Sequence, residues 1–235
     1  RLEKHQTLHV ASLSKDGLYG GDGAQTSLSL FRVTDLMRIA DVIFSVNRDS
    51  SFNGKSGEIL PFNKILVNEG NGFINNTFFI APHDGTYFFS YSVGVHGGSR
   101  FSACLRKNMA YLTGCTMERN TTSYNGVDTL SRTCLVKLLR HDHVYIRLQQ
   151  DSSVYSDDGR ITSFSGFLYR PVDSYVAFSV VRNSSVIATK YSATIRFTKA
   201  LVGGHFWPSS MTYFSAPYAG YYYFALSVAS CKETP

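Results

Sequence analysis

Four features of this 235-residue chain have side chains whose types and spacing could do chemistry. Asp157-Asp158-Gly159 sets two carboxylates beside a glycine. Paired loop carboxylates are the hard oxygen ligands that calcium prefers, while Asp-Gly is equally a hairpin-turn signal. In His141-Asp142-His143 two imidazoles point the same way along an extended chain, but two nitrogen ligands leave a metal site incomplete. A turn leading into an alternating strand from Val144 to Leu148 is the better reading. The run from Glu118 to Asp128 is rich in polar and aromatic groups, with Tyr124 set among amides and carboxylates. It suits contacts to a sugar or a protein through Glu118, Tyr124, Asn125 and Asp128, or else is a solvated, glycosylated loop. The four cysteines, Cys104, Cys115, Cys134 and Cys231, contain no Cys-x-x-Cys pair, which speaks against zinc and thioredoxin-like chemistry. With neither a Gly-x-Ser-x-Gly elbow nor a His-Glu-x-x-His helix, hydrolytic catalysis has no signature, and no catalytic residue is expected.

The totals are weak evidence for a nucleic-acid partner and are compatible with anionic glycans or with no charged partner. Net charge is +6 with lysines and arginines scattered, so no basic patch tracks a phosphate backbone. No apolar run approaches the ~18 residues that span a bilayer. Aromatic residues make up 14% of the chain, 15 Tyr and 17 Phe among them, which favours rings packed on pleated sheets. Asn75, Asn120 and Asn183 each begin an N-x-S/T sequon and are the glycosylation candidates. The chain opens at Arg1 with neither Met nor a leader, which reads as an internal start within a longer secreted precursor.

The elements that position these residues come from a repeat. Ala81-Pro82-His83-Asp84-Gly85-Thr86-Tyr87-Phe88-Phe89 is a proline–glycine turn feeding an aromatic strand. Tyr87, Phe89, Tyr91 and Val93 recur at every second position with Ser90 and Ser92 between them, so one face is expected in the core. The device returns 135 residues later as Ala216-Pro217-Tyr218-Ala219-Gly220-Tyr221-Tyr222-Tyr223-Phe224, where Tyr91 is answered by Leu226. Likewise Leu18-Tyr19-Gly20 through Phe31 precedes its echo at Val154-Tyr155-Ser156 through Phe167 by 136 residues. Residues 1–35 therefore read as the last strands of a preceding copy, 40–170 as a complete copy, and 175–235 as the first half of a following one. Short strands between Gly/Asn/Asp/Ser clusters predict an all-β, two-sheet antiparallel sandwich. Half a sandwich exposes apolar strands, so 175–235 is expected to be loosely held or completed by sequence outside the chain.

The ordered motifs resemble the complement C1q globular-domain family. They are Phe44-Ser45-Val46-x-Arg48, Phe62-x-Lys64-x-Leu66-Val67-Asn68-Glu69-Gly70, Phe79-x-Ala81-Pro82-x-x-Gly85-x-Tyr87-x-Phe89, Leu105-x-Lys107-Asn108 and Phe164-Ser165-Gly166-Phe167-Leu168. The resemblance covers all of 40–170 and the adjoining parts of both neighbours. It implies a jelly roll of the C1q and tumour necrosis factor kind, assembling as a trimer, or as a pseudo-trimer of tandem copies. The family's collagen-like stalk has no counterpart, because no Gly-x-y run occurs.

Members of that family are secreted and act by binding, as immune recognition molecules, hormone-like factors or synaptic organisers. The resemblance thus implies an extracellular, non-enzymatic protein that recognises glycans or microbial surfaces multivalently. A signalling or synapse-organising ligand for one protein receptor is the alternative, and a structural matrix component the third. Complement C1q subunits carry a disulfide between the regions of Cys104 and Cys115, with a longer spacing. Cys115–Cys134 pairing, or three buried thiols, stay open beside it. No cofactor is expected beyond calcium at Asp157 and Asp158. Calcium-binding members carry an acidic residue after the second cysteine, where this chain has Thr116 and Met117.

Overall fold

A computed structural model describes residues 2–12, 17–18, 26–33, 42–96, 101–112, 116–118, 127–170, 176–184, 186–187, 193–203, 212–227 and 230–231. The described residues form strands and turns with no helix. The first four strands are β1 (Thr7–His9), β2 (Ala11–Ser12), β3 (Gly17–Leu18) and β4 (Thr26–Val33). Next come β5 (Ile43–Asn47), β6 (Phe52–Gly54), β7 (Lys64–Glu69), β8 (Phe73–Ile74), β9 (Phe78–Ile80) and β10 (Gly85–His96). They are followed by β11 (Phe101–Lys107), β12 (Ala110–Tyr111), β13 (Thr116–Glu118), β14 (Val127–Leu138), β15 (His143–Leu148), β16 (Ser152–Val154) and β17 (Ser163–Tyr169). The last group is β18 (Ala177–Arg182), β19 (Val186–Ile187), β20 (Ala193–Thr194), β21 (Lys199–Val202), β22 (Tyr213–Ser215), β23 (Tyr221–Ser227) and β24 (Ser230–Cys231).

The chain divides into two compact units, one of Ile39–Thr133 with Lys137–Tyr169, the other of Arg1–Arg38, Cys134–Val136 and Arg170–Pro235. The central unit is an antiparallel jelly-roll sandwich. One sheet runs β14-β10-β17-β5-β7; the other runs β12-β11-β15-β9-β8, with β13 also on β11. The alternation read from Tyr87, Phe89, Tyr91 and Val93 is what the core needs, since all four are buried. Phe44 stands at the centre, its ring 4.9 Å from both Phe79 and Phe164 and 5.5 Å from Phe73. Such ring pairs add about 0.5–1.5 kcal/mol each beyond the area they bury. Gly166 is required by this cluster, because a Cβ there would stand 2.6 Å from Phe89 and 2.8 Å from Phe44.

The other recurring motif residues fasten turns. Tyr87 donates its hydroxyl to the His83 carbonyl at 2.8 Å, closing the Pro82–Gly85 turn. Asn68 grips the backbone of Phe73 twice, accepting from its N–H and donating to its carbonyl, both at 3.0 Å. That clamp holds the turn in which Gly70 and Asn71 take positive φ.

The second unit repeats this scheme with strands from both ends of the chain. In the central unit β17 pairs with β5 and β10; here β4 pairs with β18 and β23. The registers match at the repeat offsets: Phe164 lies opposite Val46, and Leu28 opposite Val180. The pairing Val144↔Phe79 is answered by Leu8↔Phe214. Leu28, Leu30, Phe178, Phe197 and Phe214 form its buried core. Strands β18, β19, β20, β22 and β23 thus pair within the chain with β1 to β4, where loose attachment or completion by sequence outside the chain was expected. Completion is partial. Tyr222 and Phe224 are only partly buried and Leu226 is 46% exposed, while their counterparts Tyr87, Phe89 and Tyr91 are buried.

Candidate functional site

The polar run singled out in the sequence begins on a strand of one sheet of the central unit and ends on a strand of the other. Glu118 ends β13, opposite Phe101 of β11, and Asp128 stands near the start of β14 beside β10. Tyr124, Asn125 and the sequon residue Asn120 fall outside the described residues.

The neighbouring hairpin turns on Asn108-Met109, with Lys107 opposite Ala110 and the Leu112 N–H donating to Leu105. Farther along, Ala103 faces Thr116, so the register has slipped by two residues in between. Cys104 is disulfide-bonded, whereas Cys134 is a buried free thiol that burial pushes up to about 12. This rules out a Cys115–Cys134 bridge and an arrangement of three thiols. Cys115 itself falls outside the described residues, and the pairing of Cys104 with it is taken up below.

A surface feature that the sequence reading passed over lies at this hairpin. Met109 is 81% exposed, and Tyr111, half exposed, carries the Arg106 guanidinium 4.0 Å from its ring centroid. Arg106 also donates to the Met109 carbonyl, and the Tyr111 hydroxyl lies 3.0 Å from Gln149 Oε1. The signal available was Arg106 and Tyr111 flanking a two-residue turn, which pairs them across the ladder.

The paired carboxylates adopt the turn reading. Asp157 accepts from the Gly159 N–H and the Tyr155 hydroxyl, both at 2.8 Å, and Asp158 is exposed. The hydrogen bond to Asp157 and its charge raise the Tyr155 phenol above its ordinary range. His141 sits at positive φ in a turn organised by Asp142. The Asp142 carboxylate accepts from Lys107 at 2.7 Å, from Asn108 at 2.8 Å and from the Leu139 N–H at 2.8 Å. Burial alone would raise its pKa, but these bonds and the Lys107 charge outweigh that and lower it. Among the described residues, no group of three or more His, Cys, Asp or Glu is placed to hold a metal ion. The remaining sequon positions, Asn75 and Asn183, are both exposed. Among the described residues, no helix is long and apolar enough to cross a membrane.

These features define a two-sheet β module that presents loops and a hairpin on a rigid aromatic core. The C1q domain model matches residues 43–169, more than half the chain, and the chain belongs to that family. Among solved structures it is similar to the "Globular Domain of Zebrafish Complement 1qA protein". That likeness covers 55% of this chain and 99% of the zebrafish one, at 22% identity and a TM-score of 0.44.

Proposed function

We propose that the chain is an extracellular recognition protein that binds glycans or microbial surfaces through the segment from Glu118 to Asp128, without catalysis. The observation that carries this reading is the mounting of that segment. Its ends sit on β13 and β14, strands of opposite sheets, so both ends of the segment are anchored on a fixed frame. The disulfide at Cys104, on the strand paired to β13, fits an oxidising compartment. Asn75, Asn120 and Asn183 are the proposed glycan attachment points.

Self-association into a trimer, or a pseudo-trimer of tandem copies, is part of the proposal. Ile65, Leu66 and Val67 stand exposed together on β7, the last strand of its sheet, a surface that an isolated domain gains by covering. Several heads held together multiply weak single-site binding.

A glycan array probed with the full chain tests the reading. Binding that disappears when Tyr124, Asn125 and Asp128 are replaced by Ala supports it. An empty array, or binding untouched by those changes, removes it.

A second reading, a signalling ligand for one protein receptor, is favoured by the exposed Met109 and Tyr111 of the hairpin, with Arg106 packed on the Tyr111 ring. Arginine, tyrosine and methionine are enriched at protein interfaces. A cell-surface pulldown that Tyr111→Ala and Met109→Ala abolish would select it.

A further inference from the structure

The two units carry the same backbone pairings but different chemistry on one outward sheet face. In the central unit, His143 of β15 stands opposite Ile80 of β9. Beside them the Phe78 ring packs edge-on against Tyr145 at 5.3 Å and His143 at 5.8 Å. Tyr145 is buried, its hydroxyl donating to the Asn108 carbonyl. Arg147 bridges to Ile59 and donates to the Gly57 carbonyl at 2.9 Å. That face is closed.

At the same register positions the other unit holds smaller or more polar groups. Thr7 stands opposite Ser215 and His9 opposite Tyr213, and Ala11 opposite Thr194 takes the place of Arg147 opposite Ile59. Between the first two pairs, Leu8 stands opposite Phe214 and this pair turns the other way, with Phe214 fully buried. The result is a cleft of about 440 Å³ lined by Thr7, His9, Thr194, Thr212, Tyr213 and Ser215. That volume falls in the ordinary range for small-molecule sites.

From this geometry we propose that the cleft is a binding site for a short neutral saccharide. Among the described residues the lining contains no Asp, Glu, Lys or Arg, so they offer neither a polyanion nor a metal cation a counter-charge. Four hydroxyl-bearing Ser and Thr side chains and an imidazole both donate and accept, which matches a ligand whose hydroxyls do the same. The Tyr213 ring, 40% exposed, offers an apolar plate for the C–H face of a pyranose, with its own hydroxyl at the rim. Selectivity against apolar ligands follows, because those would strand the hydroxyls and the imidazole without partners.

This site is independent of the segment from Glu118 to Asp128, and its test keeps the two apart. Saturation-transfer NMR on the full chain is run with a panel of methyl glycosides of neutral hexoses. Two fillers borrow the residues that the central unit holds at these positions, Thr194→Ile and Ser215→Ile; both are accommodated there on the same ladder. Saturation transfer from at least one glycoside is expected in the parent chain and in Tyr124→Ala. It is expected to vanish in Tyr213→Ala and in the doubly filled variant, whose melting temperature stays at the parent value. No transfer from any glycoside, transfer that survives filling, or a preference for uronic-acid glycosides would each overturn the proposal.

Discussion

Arg48 Nη1 donates to the Pro61 carbonyl at 2.6 Å, and Arg182 Nη1 donates to the Arg196 carbonyl at the same distance. The two contacts occupy one position of the repeat, one in each unit. Arg48 is buried; it also donates to the carbonyls of Ser50 and Ser51 and lies 5.1 Å from the Phe52 ring centroid. Burial lowers the pKa of both guanidiniums, but both remain charged at neutral pH.

Replacing Arg48 by Met strands the Pro61, Ser50 and Ser51 carbonyls together. A loss of about 1.5–3 kcal/mol is expected from hydrogen bonds to a charged group, read by urea denaturation. Arg48→Lys should recover little, since a single ammonium cannot reach three carbonyls set around a planar fork.

Gly166→Ala pushes a methyl into Phe44, Phe89 and the Phe88 carbonyl. Overpacking of this kind costs about 1–3 kcal/mol, and a lowered melting temperature is the expected readout. Gly159→Ala, whose Cβ would meet only the Asp157 carboxylate at 3.0 Å, is the milder control.

Asp142 makes the fold acid-sensitive. Its folded pKa lies below the unfolded value of about 3.9, so its contribution is fully present above that pH. The contribution is lost as pH falls through the folded pKa. Asp142→Asn should lower stability at pH 7 and flatten the decline below pH 4, as followed by thermal melts across pH 2–7. Asp49 and Asp151 are lowered by bonds from Lys64 and from the Ser56 N–H respectively and share the sign, but they lie at the surface, where salt screens them.

A non-reducing peptide map is expected to join Cys104 to Cys115. Ala103 faces Thr116, and these are the sequence neighbours of Cys104 and Cys115. Cys134, with its thiol held protonated by burial, should resist iodoacetamide at pH 8 until the protein unfolds. A peptide joining Cys104 to Cys231 would overturn the assignment.

Millimolar calcium is expected to leave the melting temperature unchanged, because both oxygens of Asp157 already accept hydrogen bonds in its turn. A rise in melting temperature that Asp157→Asn and Asp158→Asn abolish would instead place the ion there.

Much of the central sandwich was legible because local signals and burial agree in it. Alternation marked Tyr87 and Phe89 as core, and the Pro82–Gly85 turn preceded the strand it feeds. The register slip between Leu112 and Thr116 was not legible, since irregular register depends on what the rest of the sheet demands. The partnership of Leu28 with Val180 was written in the offsets, yet reading outward along the chain assigned them to separate copies. Pairing across such a separation leaves no local trace. The cleft beside His9 was missed for the same reason, although setting Thr7, His9 and Ser215 against His143, Tyr145 and Ile80 reveals the change of chemistry.

Because β4 meets β18 and β23, the whole central sandwich is enclosed in a loop whose neck is a β-ladder. Closing so long a loop is entropically costly while the chain is expanded, and cheaper once the interior has compacted. Assembly is therefore expected to be sequential, with the middle first and the clasp last. Tension applied to the two termini would unfasten the clasp while the enclosed sandwich stayed shut.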